Sequence, residues 1–102
     1  MSFTGNEDHT ISLSAGAELT AEFRRNFSGQ PLGIYFSKDT LQSVLDQTDC
    51  VGIRFYFGET TNGKLRIVFA GVIANENDIL DIIGDGGSLC PPACGESNEL
   101  NS

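Results

Sequence analysis

The sequence lacks tryptophan, has a single histidine, and carries only 6 basic residues against 14 acidic ones in its 102 residues. The resulting net charge of −8 repels phosphate backbones and anionic lipid surfaces, so nucleic acid and membranes are disfavoured as partners. No apolar run approaches the roughly 18 residues of a membrane span, and the first ten residues do not resemble a secretory signal. We therefore expect a cytoplasmic protein, large enough to bury one core.

Catalytic residues are also scarce. His9 lies in a polar N-terminal arm, far in sequence from any cysteine nucleophile, and the acids Asp78 and Asp81 have no predicted cleft that would perturb a carboxyl group. The glycine-rich segment 84–87 lacks the Lys-Ser/Thr pair of a phosphate-binding loop. The sequence therefore predicts that the protein is not an enzyme.

Two helices are indicated. Leu19, Phe23 and Phe27 recur every fourth residue, which predicts a helix over 14–27. Ser37 is a favoured N-cap residue and precedes a second amphipathic segment, which predicts a helix to about Thr48. A short strand is expected over 34–36, between these helices.

The strongest pattern is the recurrence of large apolar residues at nearly every second position over 51–58 and 64–74, which predicts an antiparallel β-hairpin. A three-residue loop with a left-handed Gly63 places Phe57 opposite Ile67, Phe55 opposite Phe69 and Val51 opposite Ile73. The fold class is therefore α+β, with two helices packed on this hairpin.

The segment 79–83 is ambiguous, because its apolar spacing favours a short helix while a third strand is nearly as plausible. The glycines that follow it suggest a boundary. We expect one α+β domain over residues 1–84, including its N-terminal arm, and an extended acidic tail rich in glycine, proline and cysteine over residues 85–102.

The strand 64–74 has a second notable property, since Val68, Ala70 and Val72 make its outer face apolar as well. Covering that face requires either the tail or another chain, and an open strand edge also invites pairing with a neighbour. All six bases lie between residues 24 and 66, whereas no base follows residue 66. An acidic tail containing Pro91 and Pro92 could therefore pack on the basic middle of its own or a neighbouring chain.

The motif Cys90-Pro91-Pro92-Ala93-Cys94 has three interpretations: a structural turn of a packed tail, a disulfide or redox pair, and a metal site. A disulfide would close a very small loop worth about 2 kcal/mol. Structural zinc needs four ligands, so Cys90 and Cys94 would have to be completed by another chain. Cys50 is the third cysteine, and we expect it to be a small buried apolar residue.

Several segments resemble a family of small proteins from Bacteroidetes bacteria. They are Leu19-x-x-x-Phe23, Cys50-x-x-Ile53-Arg54-x-Tyr56, Asn-Asp-Ile-Leu at 77–80, Cys90-Pro-Pro-x-Cys94 and Asn-Glu-Leu-Asn at 98–101. The resemblance covers most of the chain from the first helix onward. It implies a short α+β protein of unknown function and supplies no catalytic residues.

These observations predict a non-enzymatic module for self-assembly or protein interaction. Its expected partner is a second copy of the chain or another protein, with the tail packed on its own or a neighbouring chain. The predicted interaction residues are Val68, Ala70, Val72, Pro91 and Pro92. The alternative is a metal-binding or redox-responsive protein that uses Cys90 and Cys94, with zinc as the candidate metal. No other cofactor is expected.

Overall fold

A computed structural model describes residues 2–102 and gives an α+β fold. Within those residues it contains two helices and five strands: α1 (Leu13–Asn26), β1 (Gly33–Tyr35), α2 (Lys38–Leu45), β2 (Cys50–Glu59), β3 (Leu65–Ile73), β4 (Asp78–Gly84) and β5 (Ser88–Cys90). They belong to two compact units. The first contains the N-terminal residues through Asp8 together with Phe36–Gly87, and the second contains His9–Tyr35 and Ser88–Ser102. The predicted domain of residues 1–84 with a separate tail stays a prediction.

Both helices begin at a serine cap. The Ser37 hydroxyl accepts a hydrogen bond from the Thr40 backbone N–H at 3.2 Å, which confirms the predicted start of α2. The α1 cap is Ser12, which accepts from the Ala15 N–H at 3.1 Å, so this helix begins slightly earlier than predicted. α2 ends at Leu45, before the predicted Thr48. Only α2 belongs to the same unit as the hairpin, and the packing of α1 on the hairpin stays a prediction.

Strands β2, β3 and β4 form an antiparallel sheet with β3 in the centre. Phe57 lies opposite Ile67 and Phe55 opposite Phe69, as the three-residue loop predicts. Gly63 has the expected left-handed φ of +81°, and the Thr60 N–H donates to the Lys64 carbonyl at 2.9 Å. The predicted partner of Ile73 was wrong by one residue. A bulge between Cys50 and Gly52 places Cys50, rather than Val51, opposite it.

Segment 79–83 is part of strand β4, so the preference for a helix was wrong and the strand alternative is confirmed. A short turn after β3 returns the chain beside it, with Val72 opposite Asp78 and Gly71 opposite Ile79. Ile83 then lies opposite Ala70, the residue adjacent to Gly71 on β3. Between these two pairings β4 has three more residues than β3, so β4 bulges outward.

The core of the first unit lies where α2 crosses β3. Phe69 and Val44 are fully buried, and the Phe69 ring contacts Phe36 and Phe55 with centroid distances of 4.7 and 5.5 Å. The absence of a side chain at Gly71 allows α2 to pack closely on β3, because a Cβ there would lie 2.9 Å from the Cys50 sulfur and 3.3 Å from Val44 Cγ1. This packing covers one end of the sheet face and leaves the end near Phe57 open.

The second unit brings the C-terminal residues against α1 and β1. Strand β5 pairs antiparallel with β1, Gly33 lying opposite Cys90. The Arg24 guanidinium of α1 donates to the carbonyl oxygens of Leu100 and Ser102, each at 2.9 Å. The C-terminal segment is therefore not extended throughout, because a strand, a disulfide-closed turn and a second turn at 98–101 follow one another. Within residues 2–102 no helix has the length and apolarity needed to cross a membrane.

Candidate interaction surfaces

The largest exposed side chains of the first unit lie together on strand β2. Phe55, Tyr56 and Phe57 are 50%, 44% and 84% exposed. In the part of the chain that the structure describes, β2 pairs with β3 on one side and with no strand on the other. We call these three residues the aromatic edge. Exposed aromatic side chains beside unpaired backbone groups are typical of protein contact sites.

The alternation of side chains explains the shape of this edge. Phe55 and Phe57 point to the face that α2 covers, while Tyr56 points to the opposite face. Phe55 is half-buried because it rests on Phe69, whereas Phe57 lies beyond that aromatic cluster, opposite Ile67. The aromatic edge therefore presents an apolar ring on each face of the same strand end.

A polar cluster fixes Tyr56 on the other face. The Arg54 guanidinium reaches across β3 from β2 to β4, where Nη1 donates to Asp78 Oδ1 at 2.6 Å and to the Glu76 carbonyl at 3.2 Å. The Tyr56 hydroxyl donates to the other Asp78 oxygen. The nearby Tyr56 hydroxyl and the Asp78 carboxylate both raise the pKa of Arg54 above its usual value. Ala70, opposite Arg54, is small enough for the guanidinium to pass over β3.

The charges on the sheet are unevenly distributed. The β2–β3 hairpin carries three bases, Arg54, Lys64 and Arg66, against the single acid Glu59. Strand β4 and the residue after it carry only acids: Asp78, Asp81 and Asp85. Asp78 pairs with Arg54, and Asp85 approaches Arg66 at 3.4 Å, so Asp81 is the acid with no base among its described contacts. Two of the three bases of the hairpin are therefore paired with acids of β4 or of the residue after it, within the same sheet.

The predicted interaction residues lie in different environments. Ala70 and Val72 are buried within the chain itself and Val68 is partly buried, so Ala70 and Val72 offer no free surface. The physical reason is the arrangement of β2 and β4 on both sides of β3, with the Arg54 side chain above it. Pro91 and Pro92 are exposed, and their role in an interaction stays a prediction.

Cys90 and Cys94 form a disulfide. Metal binding requires thiolates, so the predicted zinc site applies only to the reduced pair and stays a prediction. Among residues 2–102 no cluster of three or more histidine, cysteine, aspartate or glutamate side chains could hold a metal ion. Cys50 is a partly buried free thiol that donates to the Gly52 carbonyl at 3.2 Å. His9 is exposed in the arm.

A wide depression of about 440 Å³ lies at the bulged end of the hairpin. It contains one acid, one amide and a free thiol, and none of its described lining side chains is basic. The lining residues are Asp49, Cys50, Val51, Ile73, Ala74 and Asn75.

Comparison of the chain with protein-family models, with curated proteins and with solved structures finds no match. The resemblance to small proteins of Bacteroidetes stays a prediction.

Sequence reasoning missed the aromatic edge, although the signal was present. Tyr56 and Phe57 are adjacent, so no single face of a strand can bury both against the same core. The apolar face of Val68, Ala70 and Val72 belongs to the central, buried strand, whereas the aromatic edge lies on the outer strand beside it.

Proposed function

We propose that the protein is a non-enzymatic module for self-assembly, and that its contact surface is the aromatic edge of β2. The observation that carries this proposal is the exposure of Phe57 at 84% on an outer strand. The net charge of −8 keeps such a chain soluble at low concentration, so association should be reversible and dependent on concentration.

The size of the surface supports a weak to moderate contact. Weighted by their exposed fractions, the three aromatic side chains offer on the order of 350 Å², since a buried aromatic residue contributes about 150–250 Å². A standard interface buries about 800 Å² per partner. The aromatic edge is thus slightly less than half of such an interface, and neighbouring backbone and aliphatic groups must supply the rest.

The test is substitution of Phe57 by serine, because an exposed position tolerates this change without loss of the fold. Full burial of its exposed area would be worth about 4 kcal/mol at about 25 cal/mol per Å². If the contact buries half of this area, the substitution removes half of that free energy and raises the dissociation constant about 30-fold. Light scattering over a concentration series measures the change.

The matched control is Leu19→Ser. Leu19 is a large apolar residue of α1, is 67% exposed, and belongs to the second unit. The control should associate like the wild type. A wild-type protein that remains monomeric at high concentration contradicts the proposal, and so does equal weakening by Leu19→Ser and Phe57→Ser.

The second candidate is a redox-responsive protein, favoured by the Cys90–Cys94 disulfide. The Cys90 carbonyl accepts from the Leu32 N–H at 2.6 Å and the Asn101 side chain donates to the Cys94 carbonyl at 3.4 Å. Reduction would therefore loosen the turn that joins β5 to the C-terminal residues. A cytoplasmic location, which we also propose, would favour the reduced form. Thiol titration of freshly purified protein, with and without reductant, tests this candidate.

A further inference from the structure

We infer that the Cys90–Cys94 disulfide is a redox switch, and that its reduction releases the C-terminal residues from helix α1. We call residues 95–102 the C-terminal strap. The inference rests on the redox-responsive candidate and specifies its structural consequence, and it is independent of the proposed self-assembly. The helix, the disulfide and the strap all belong to the second unit.

The strap lies along one side of α1. Gly16 and Arg24 are about two turns of the helix apart and lie on the same side of it. A Cβ at Gly16 would lie 3.4 Å from Leu100 Cδ2, so the leucine side chain lies directly over this glycine. The Arg24 guanidinium donates to the carbonyl oxygens of Leu100 and Ser102. An apolar contact and two hydrogen bonds therefore attach the strap to α1.

A network of hydrogen bonds joins the strap to the turn that the disulfide closes. The Asn101 side-chain amide donates to the Cys94 carbonyl at 3.4 Å and to the Glu96 carbonyl at 3.2 Å. Its oxygen accepts from the Asn98 N–H at 2.8 Å. The Asn98 side chain in turn accepts from the Leu100 N–H at 2.8 Å. The position of Leu100 over α1 therefore depends, through two asparagines, on the position of the Cys94 carbonyl.

The disulfide fixes that carbonyl by tying Cys94 to a strand. Cys90 is buried at the end of β5, which pairs with β1. After reduction the turn is still closed by a hydrogen bond from the Ala93 N–H to the Leu89 carbonyl at 2.9 Å, but the covalent tie is lost. The loop-closure entropy of so short a loop indicates that this loss raises the population of the open turn about 30-fold.

The chemistry of the switch is thiol–disulfide exchange with a dithiol reductant. A thiolate of the reductant attacks, the Sγ–Sγ bond breaks, and the second thiol of the reductant resolves the mixed disulfide. The two cysteines take up two electrons and two protons, and the reductant leaves as a disulfide. Cys94 is partly exposed whereas Cys90 is buried, so we expect the attack at the Cys94 sulfur.

Reduction of the full chain with dithiothreitol, followed by NMR, tests the inference. The nuclear Overhauser effect between the Leu100 methyl groups and the Gly16 α-protons reports the contact of the strap with α1. This effect should be present in the oxidised protein and should weaken or disappear on reduction. Amide exchange of Asn98 and Leu100 should become faster by up to about 30-fold. Amides of β2 and β3, in the first unit, should remain unchanged.

Asn101→Ala tests the connection between the disulfide and the strap. In the oxidised protein this variant should weaken the effect between Leu100 and Gly16 as reduction does, while the amides of β1 and β5 stay protected. Ser97→Ala is the matched control, because Ser97 is an exposed polar residue of the same strap whose side chain makes no hydrogen bond to the residues that the structure describes. This control should behave like the wild type.

Two kinds of result would overturn the inference and leave the redox-responsive candidate in place. One is reduction that speeds exchange in β1 and β5 but leaves the effect between Leu100 and Gly16 intact. The other is an oxidised Asn101→Ala variant that keeps the full effect, or that weakens it no more than Ser97→Ala does. Exchange and Overhauser effects that are the same in both redox states would instead refute the redox-responsive candidate itself.

Discussion

Replacement of Gly84 by alanine should strongly destabilise the first unit. Gly84 lies opposite Phe69 across the β3–β4 pair, and the Phe69 ring occupies the space that a Cβ would take. The ring cannot move aside easily, because Phe69 is fully buried between Phe36 and Phe55. The glycine therefore allows β4 to close over the aromatic cluster.

The magnitude follows from the packing. Inserting a methyl group into a well-packed core costs about 1–3 kcal/mol, and an overlap with an immobile ring belongs at the upper end. Relief of the glycine penalty in a strand offsets about 0.5–1 kcal/mol. We expect a net loss of about 2 kcal/mol in the free energy of unfolding, which lowers the melting temperature by roughly 8–16 °C.

Urea unfolding followed by circular dichroism measures this loss, with Gly58→Ala as the matched control. A Cβ at Gly58 would have its nearest neighbour at 3.8 Å, so this variant should be neutral or slightly more stable. Phe69→Leu should relieve the overlap, so the double variant with Gly84→Ala should be at least about 1 kcal/mol more stable than additivity predicts. A neutral Gly84→Ala, or strictly additive effects, would refute the reasoning.

Three further predictions follow from single contacts. Replacing Cys90 and Cys94 by serine should lower stability by about 2 kcal/mol and speed amide exchange in β1 and β5; unchanged exchange would contradict the role of the disulfide. Backbone N–H donors, chiefly that of Thr4, lower the pKa of Glu7. The N-terminal arm should therefore be fully ordered above the ordinary glutamate pKa and should lose its order as pH falls through the lowered pKa of Glu7. An NMR titration would detect this change, and an arm whose order does not depend on pH would contradict the prediction. Arg54→Lys should lower the urea midpoint, because a lysine ammonium cannot reproduce the position of the guanidinium Nη1 that contacts both Asp78 and the Glu76 carbonyl; an unchanged midpoint would show that the cluster is unimportant.

The hairpin could be predicted from sequence because local chemistry specifies it. Alternation over 51–58 and 64–74 identifies the strands, and Gly63 selects the loop. One residue of slip would have turned Phe55 and Phe57 away from the face that holds Phe69, so burial distinguishes the two registers. Only the bulge between Cys50 and Gly52 was not predicted, because an extra residue leaves no signal in the alternation of apolar residues.

Other features depend on contacts between distant residues. Segment 79–83 is a strand because β3 is beside it, and its short apolar run carries no periodicity that separates strand from helix. The pairing of β1 with β5 joins segments more than fifty residues apart. The three-residue strand β5 offers too little pattern to indicate that partner.

The candidate site was only partly accessible to sequence reasoning. Two apolar faces on the strand 64–74 correctly indicated that something covers both sides, yet Ala70 and Val72 are covered by the chain itself. Which strand is central and which is outer depends on the placement of β4. The exposure of Phe57 and Leu80 follows from that placement and cannot be obtained from composition or alternation.

Hydrogen exchange at low and high protein concentration tests the central claim most directly. If the aromatic edge is the contact surface, amides of Phe55–Phe57 should become more protected as concentration rises, while amides of α1 remain unchanged. Phe57→Ser should abolish the concentration dependence. Protection that does not change with concentration, or that changes in α1 and not in β2, would contradict the account.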